Sequence, residues 1–157
     1  MSRTFFLVNM AKNLISLTKE GVLEVNSILE DYISDPGYVK KDSQTGCLLW
    51  LGARGGGNGY REPEYSTMWL SSRKGNFKSF RTYVHIVQLF LKTGQVPTRG
   101  KSGVSHICHR KLCVNPSHIF LETLKSNNKR KLCNGTPGCK KECKDPRNHT
   151  PQCFSET

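Results

Sequence analysis

The chain has 157 residues, 24 Lys and Arg against 12 Asp and Glu, five His and seven Cys, for a net charge of +12. That length suits a single domain, and no stretch approaches the ~18–20 apolar residues of a membrane span, so a transmembrane protein is not expected. Residues 1–51 carry five basic against six acidic side chains while residues 52–157 carry the whole surplus, which implies a polyanionic partner, because each phosphate neutralised by Lys or Arg releases condensed counterions.

The start, MSRTFFLVNMAKNLI, holds only a short apolar run before Lys12 and no small-residue cleavage site, so it makes a poor signal peptide. Residues 1–45 are expected to form a helical scaffold. Within it TKEGVLEVNSILEDYI places Val22, Val25, Ile28, Leu29, Tyr32 and Ile33 at helical spacing, with Thr18 as N-cap and Asp35-Pro36-Gly37 as the stop.

Residues 46–100 change character. CLLWL reads as a strand and ARGGGNGY as a glycine-rich turn. No GK[ST] follows it, so a hairpin connection is expected rather than a phosphate loop. EYSTMWLSS and FKSFRTYV then read as two strands around the turn RKGN, with Lys78, Phe80, Thr82 and Val84 on one face and Phe77, Ser79, Arg81 and Tyr83 on the other. A basic, aromatic strand pair over 65–84 has the width to enter a DNA major groove, with Arg73, Lys74, Lys78 and Arg81 as contacts; an ordinary amphipathic sheet face has the same pattern. HIVQLFLKTG reads as a short helix closed by Gly94.

Residues 101–157 carry most of the metal chemistry. VSHI predicts a strand leading into Cys108-x4-Cys113-x4-His118. Zinc takes four tetrahedral S and N ligands, so a fourth must come from elsewhere, and Cys47 is the candidate, since every other cysteine lies in the C-terminal third. A second zinc is expected on four of Cys133, Cys139, Cys143, His149 and Cys153, with Cys139 and Cys143 competing for one place. An intracellular compartment, the nucleus in a eukaryotic host, is expected, and clustered cysteines there signify metal more often than disulfides. Between the clusters, Ile119–Glu122 reads as a strand and residues 123–132 as a helix with Thr123 as N-cap.

The run SHICHRKLCVNPSHIFLETLKSNN resembles the signature of the His-Cys box homing endonucleases, a branch of the ββα-metal nucleases related to HNH enzymes. The upstream GCLLWLGA, NGY and YVHIVQLFLKTGQVP are similar to the lead-in of that group, so the resemblance covers roughly residues 46–153. It implies that His106 is the general base on the attacking water and that Asn127 ligates one catalytic Mg²⁺. It also implies zinc ligation by Cys108, Cys113, His118 and the distant Cys47, and a second zinc loop opening at Cys133 and closing on HTPQC. Asn115 falls at the middle asparagine of the HNH pattern, but its place between zinc ligands suits a structural role. An arginine near the scissile phosphate is implied too; Arg81 is the first candidate, with Arg73 and Lys78 as rivals. The second loop departs from the pattern by an extra cysteine and longer spacing, and only four residues follow Cys153.

The expectation is therefore an α+β fold with antiparallel β-sheets, a ββα-metal motif and two structural zinc sites, arranged as one domain over 1–157. Its expected function is site-specific, Mg²⁺-dependent hydrolysis of double-stranded DNA by a homodimer that cuts both strands. Two alternatives are a zinc-dependent DNA-binding module without catalysis and a monomeric HNH-type nicking nuclease. His106 and Asn127 discriminate the first of these, because a pure binder needs neither.

Overall fold

The computed structural model describes residues 3–55 and 65–132, with side chains over 9–55 and 65–128. Two helices open it, α1 (Arg3–Ile15) and α2 (Lys19–Ser34), followed by the strands β1 (Val39–Lys41), β2 (Leu48–Trp50), β3 (Arg54–Gly55), β4 (Tyr65–Leu70) and β5 (Phe80–Tyr83). Next come α3 (Val84–Thr93), β6 (Ser102–His106), a 3-10 turn (Pro116–His118), β7 (Ile119–Thr123) and α4 (Leu124–Leu132). The strands make three small antiparallel sheets among the described residues, β1-β2, β3-β4-β5 and β6-β7. The fold is the mixed α+β type with antiparallel sheets that the sequence predicts. Among the described residues, no helix is long and apolar enough to cross a membrane.

Local chemistry accounts for most boundaries. Thr18 caps α2 by accepting from the Gly21 amide at 3.1 Å, and Asp35 ends it. Gly94 closes α3 in the left-handed region (φ 69°), where its N–H reaches the Phe90 carbonyl, a position that costs other residues strain. Thr123 caps α4 by accepting from the Ser126 amide at 3.2 Å. Helix α1, within the expected helical scaffold, buries Met10 and Leu14.

One hydrophobic core runs through these elements. Met10 and Leu14 of α1 meet Val25, Ile28 and Leu29 of α2, Trp50 of β2, Met68 and Leu70 of β4, Phe80 of β5, Val84, Ile86, Val87 and Phe90 of α3, and Val114. The predicted apolar stripe of α2 is seen, with Val25, Ile28 and Leu29 buried and Val22, Tyr32 and Ile33 packed at its margin.

The β4–β5 connection is a correction. FKSFRTYV does not run as one strand, because β5 starts only at Phe80, and the turn is not confined to RKGN. Residues 71–79 wrap around the Glu24 carboxylate of α2 instead. Ser72 Oγ (2.8 Å), the Lys74 amide (2.9 Å) and Asn76 Nδ2 (2.9 Å) donate to it, as does the Arg73 amide. A buried carboxylate needs such donors, and satisfying it holds these residues off the strand path. Lys78 is thereby displaced from the strand face predicted for it, and Val84 opens α3 rather than extending β5.

Candidate metal centre and the histidine beside it

The β1–β2 connection positions Cys47. Asp42 accepts from the Gln44 amide (3.0 Å) and from Thr45 Oγ1 (2.9 Å), and Gly46 turns at φ 67°. The following strand then recruits the distant loop: the Trp50 amide donates to Leu112 O (2.9 Å) and the Val114 amide to Leu48 O (2.7 Å), with a bridge between Leu49 and Cys113. Residues 112–114 thus join β2 through a single antiparallel bridge, which brings Cys47 to Cys113. Arg110 ties the same loop to Asp42 at 2.6 Å. Asn115 caps the 3-10 turn by accepting from the Ser117 amide (2.9 Å) and donates to Gly46 O (2.8 Å), a structural role in keeping with its position between Cys113 and His118.

The outcome is a buried cluster of Cys47, Cys108, Cys113 and His118, whose ligand atoms all lie within 4.8 Å of one another. His118 Nδ1 stands 3.5 Å from both Cys47 Sγ and Cys113 Sγ. A tetrahedral ion bonded at about 2.0–2.3 Å separates its ligand atoms by roughly 3.5–3.8 Å, so the donor set fits zinc in kind and in spacing. Electrostatics agree. Burial pushes the Cys47 thiol up, and donation to Cys113 together with burial pushes Cys108 up, while Cys113, as acceptor of that bond, is held low. Three buried sulfurs cannot all ionise side by side without a cation among them, and a divalent ion removes that conflict.

A comparison with protein families bears on the same residues: the family described as the zinc-binding loop region of homing endonuclease matches residues 55–157. The chain belongs to that family. No curated protein matches it. For a homing-endonuclease zinc-loop protein the Cys₃His cluster is the expected kind of centre, and DNA is the implied partner. The second set, Cys133, Cys139, Cys143, His149 and Cys153, lies outside the described residues.

The homing-endonuclease motif is laid out around β6. His106 ends that strand, nearly buried, and its Nε2 lies 3.1 Å from the carbonyl of Cys113. A carbonyl can only accept, so Nε2 carries the proton and Nδ1 keeps its lone pair. Burial lowers the His106 pKa to about 4, against an upward pull from the hydrogen bond to the Cys113 carbonyl; the imidazole is therefore neutral at pH 7. Cys108 does not share a strand face with it, because the chain has already turned at Ile107, where β6 ends.

Asn127 sits on α4 with Nδ2 3.4 Å from the carbonyl of Val104. The seat exists because residue 103 is glycine: a Cβ there would come within 2.9 Å of Asn127 Nδ2 and 3.5 Å of Leu124. Strand alternation puts Gly103 and Ser105 on the face that α4 covers, while Val104 packs into the main core from the other. His106 and Asn127 are thus held by one strand, two residues apart from Val104 to His106, and no described hydrogen bond joins them directly. The signal for Gly103 was a glycine inside a strand, which marks close approach of a neighbour.

The basic residues separate by position. Arg81 pairs across the sheet with Trp69, is exposed, and donates through Nη2 to Thr67 Oγ1 (3.1 Å) and Arg54 O (3.3 Å). Arg73 pairs instead with Asp31 of α2 at 2.8 Å, both side chains exposed, and the Lys74 backbone is anchored on Glu24. Tyr65, Thr67, Trp69, Arg81 and Tyr83 share one face by register, and Tyr65 and Tyr83 at its end lie against His85, whose ring touches His106. Sequence reasoning assigned no role to His85; its only signal was a histidine in a helix whose residues from Val84 to Phe90 are all buried.

Proposed function

We propose that the chain is a site-specific DNA endonuclease in which His106 is the general base, Asn127 holds one Mg²⁺ and Arg81 contacts the scissile phosphate. The observation that carries this reading is the Cys113 carbonyl 3.1 Å from His106 Nε2. It orients the imidazole so that Nδ1 is free to take a proton from water, and burial keeps that nitrogen unprotonated at neutral pH. The proton passes from water to Nδ1 as the hydroxyl oxygen attacks phosphorus, in line with the departing 3′ oxygen. Asn127 offers a neutral amide oxygen, the kind of donor Mg²⁺ accepts, since its nitrogen is the atom turned to Val104. When bound there with DNA phosphate oxygens, Mg²⁺ supplies Lewis-acid stabilisation of the leaving oxygen.

The face carrying Arg81 and Trp69 supports β4–β5 as the DNA-reading element, with Arg73 and Lys78 less well placed for the phosphate. Double-strand cleavage calls for two active sites, so a homodimer is part of the proposal, as is a second zinc on four of Cys133, Cys139, Cys143, His149 and Cys153. Residues 1–157 are treated as one domain, a reading supported by a single core reaching from Met10 to Val114. An intracellular location, the nucleus in a eukaryotic host, is part of the same proposal.

The test is cleavage of a randomised plasmid library by zinc-loaded protein with Mg²⁺, wild type against His106→Ala and Asn127→Ala. Loss of a general base lowers the rate about 10²–10⁴-fold, with zinc content unchanged. Equal cutting by His106→Ala, or no cutting by wild type, would overturn the proposal.

A further inference from the structure

His85 is a buried polar group that the proposed chemistry leaves without a task, and unlike Ser66 and Thr82 it is a titratable ring in contact with His106. It lies in the first turn of α3, its ring stacked on Tyr83 (centroids 5.5 Å, planes 27° apart) and close to Tyr65 (5.3 Å). On its remaining side it meets the ring of His106 edge to face, at 5.3 Å and 63°. Its Nδ1 is buried and has no hydrogen-bond partner among the described residues.

That combination is costly for a packing residue. A phenyl ring would fill the same aromatic bracket without leaving a buried nitrogen unpaired, which is the expensive way to bury a polar atom. Local rules are broken in this way mainly where function demands it, and the group in contact here is the proposed base. The bond from His106 Nε2 to the Cys113 carbonyl restrains one vertex of the ring only; the imidazole can still swing about that contact. A second ring set edge to face against it removes the swing. Burial, with the neighbouring His106 acting in the same direction, holds His85 well below the usual histidine pKa, so it is a neutral neighbour that does not repel a proton arriving on His106.

We infer that His85 is a positioning residue for His106, holding the base in the ring orientation and tautomer that leave Nδ1 open to the substrate. The inference rests on the reading of His106 as the base.

The test uses full-length, zinc-loaded protein with ¹⁵N-labelled histidine. The wild-type ¹⁵N spectrum of His106 is expected to show one tautomer, protonated at Nε2. In His85→Ala and His85→Gln, which remove the ring, the His106 signals are expected to broaden or average between tautomers, whereas His85→Phe, which keeps a ring in the bracket, is expected to hold one tautomer. In the two variants without the ring, hydrolysis of bis(p-nitrophenyl) phosphate with Mg²⁺, a probe that needs no recognition site, is expected to fall at least tenfold through kcat, with KM and zinc content unchanged. His85→Phe recovers most of that loss, and His85→Gln stands in for alanine if that variant does not fold. An unchanged His106 spectrum in His85→Ala and His85→Gln overturns the inference whatever the activity. Altered spectra in a protein whose wild type hydrolyses no phosphodiester uphold the positioning contact and overturn the nuclease reading instead.

Discussion

The carbonyl that accepts from His106 Nε2 at 3.1 Å belongs to Cys113, whose sulfur stands 3.5 Å from His118 Nδ1 in the metal cluster. The backbone of one residue thus orients the histidine while its side chain belongs to the candidate metal cluster. Order in the cluster and order at the proposed base are one problem, since the cluster has little apolar packing: among the described residues, Leu49 is the partly buried hydrophobic residue packed against Cys47, Cys108 and Cys113.

Removing zinc is therefore expected to abolish cleavage without touching a catalytic atom. Cys47→Ser should lower bound zinc by one ion per chain and lower Tm, because the free energy of binding a structural zinc is folding free energy, of order 10 kcal/mol in small zinc domains. Metal analysis and calorimetry on the same sample check this; excess Mg²⁺ should restore nothing. Full activity in a protein that has lost this ion would break the link.

Gly103→Ala places a Cβ 2.9 Å from Asn127 Nδ2 and 3.5 Å from Leu124. Since the first contact is shorter than side chains tolerate, the Asn127 amide must swing away from the Val104 carbonyl, at a small cost in stability because only the end of a side chain has to move. Cleavage should fall further than stability does, and the Mg²⁺ concentration for half-maximal rate should rise. Chemical denaturation and a Mg²⁺ titration separate the two effects.

Glu24 sets a pH dependence. Burial alone would raise its carboxyl above the ordinary 4.5, but hydrogen bonds from Ser72, Lys74, Arg73 and Asn76 outweigh burial and hold it lower. A folded pKa below the unfolded one gives stability that is complete above the unfolded value and is lost as pH falls through the folded value. Glu24→Gln should then lower Tm at pH 7, and its gap from wild type should narrow only below about 4.5, the ordinary value. A gap that stayed constant down to pH 3 would contradict the assignment.

Trp69 and Arg81 face each other across β4 and β5, both exposed. Of the two tryptophans in the chain, Trp50 is buried and Trp69 is 57 % exposed. Duplex DNA should quench the emission of Trp69, with Trp50→Phe retaining the signal and Trp69→Phe losing it. Arg81→Ala should slow cleavage by about 10²-fold, the scale of losing one transition-state donor, with little change in Tm. An emission spectrum indifferent to saturating DNA would remove β4–β5 from the interface.

Several features were legible because they depend on near neighbours in the chain. Thr18, Gly94 and Thr123 mark helix ends through bonds that span three or four residues. Cys108, Cys113 and His118 sit close enough in sequence for one loop to wrap an ion, and the motif around them sufficed for the family. Cys47 was reached by elimination, and its partnership depends on a strand pairing between residues 48–50 and 112–114 that no local pattern announces.

Residue types and their order set the chemistry available: an α+β chain, a zinc-binding cysteine and histidine set, a basic surplus suited to DNA, and a histidine and an asparagine at the family's spacing. Tertiary structure alone decided which side chains meet. Nothing local marks Glu24 for burial, yet loop 71–79 closes over it and takes Lys78 off the strand; nothing local joins His85 to His106, yet α3 packs against the β6–β7 hairpin. Such meetings join residues 21 to 52 positions apart. Helical and strand periodicities say which face a residue occupies, whereas long-range packing says what that face will find.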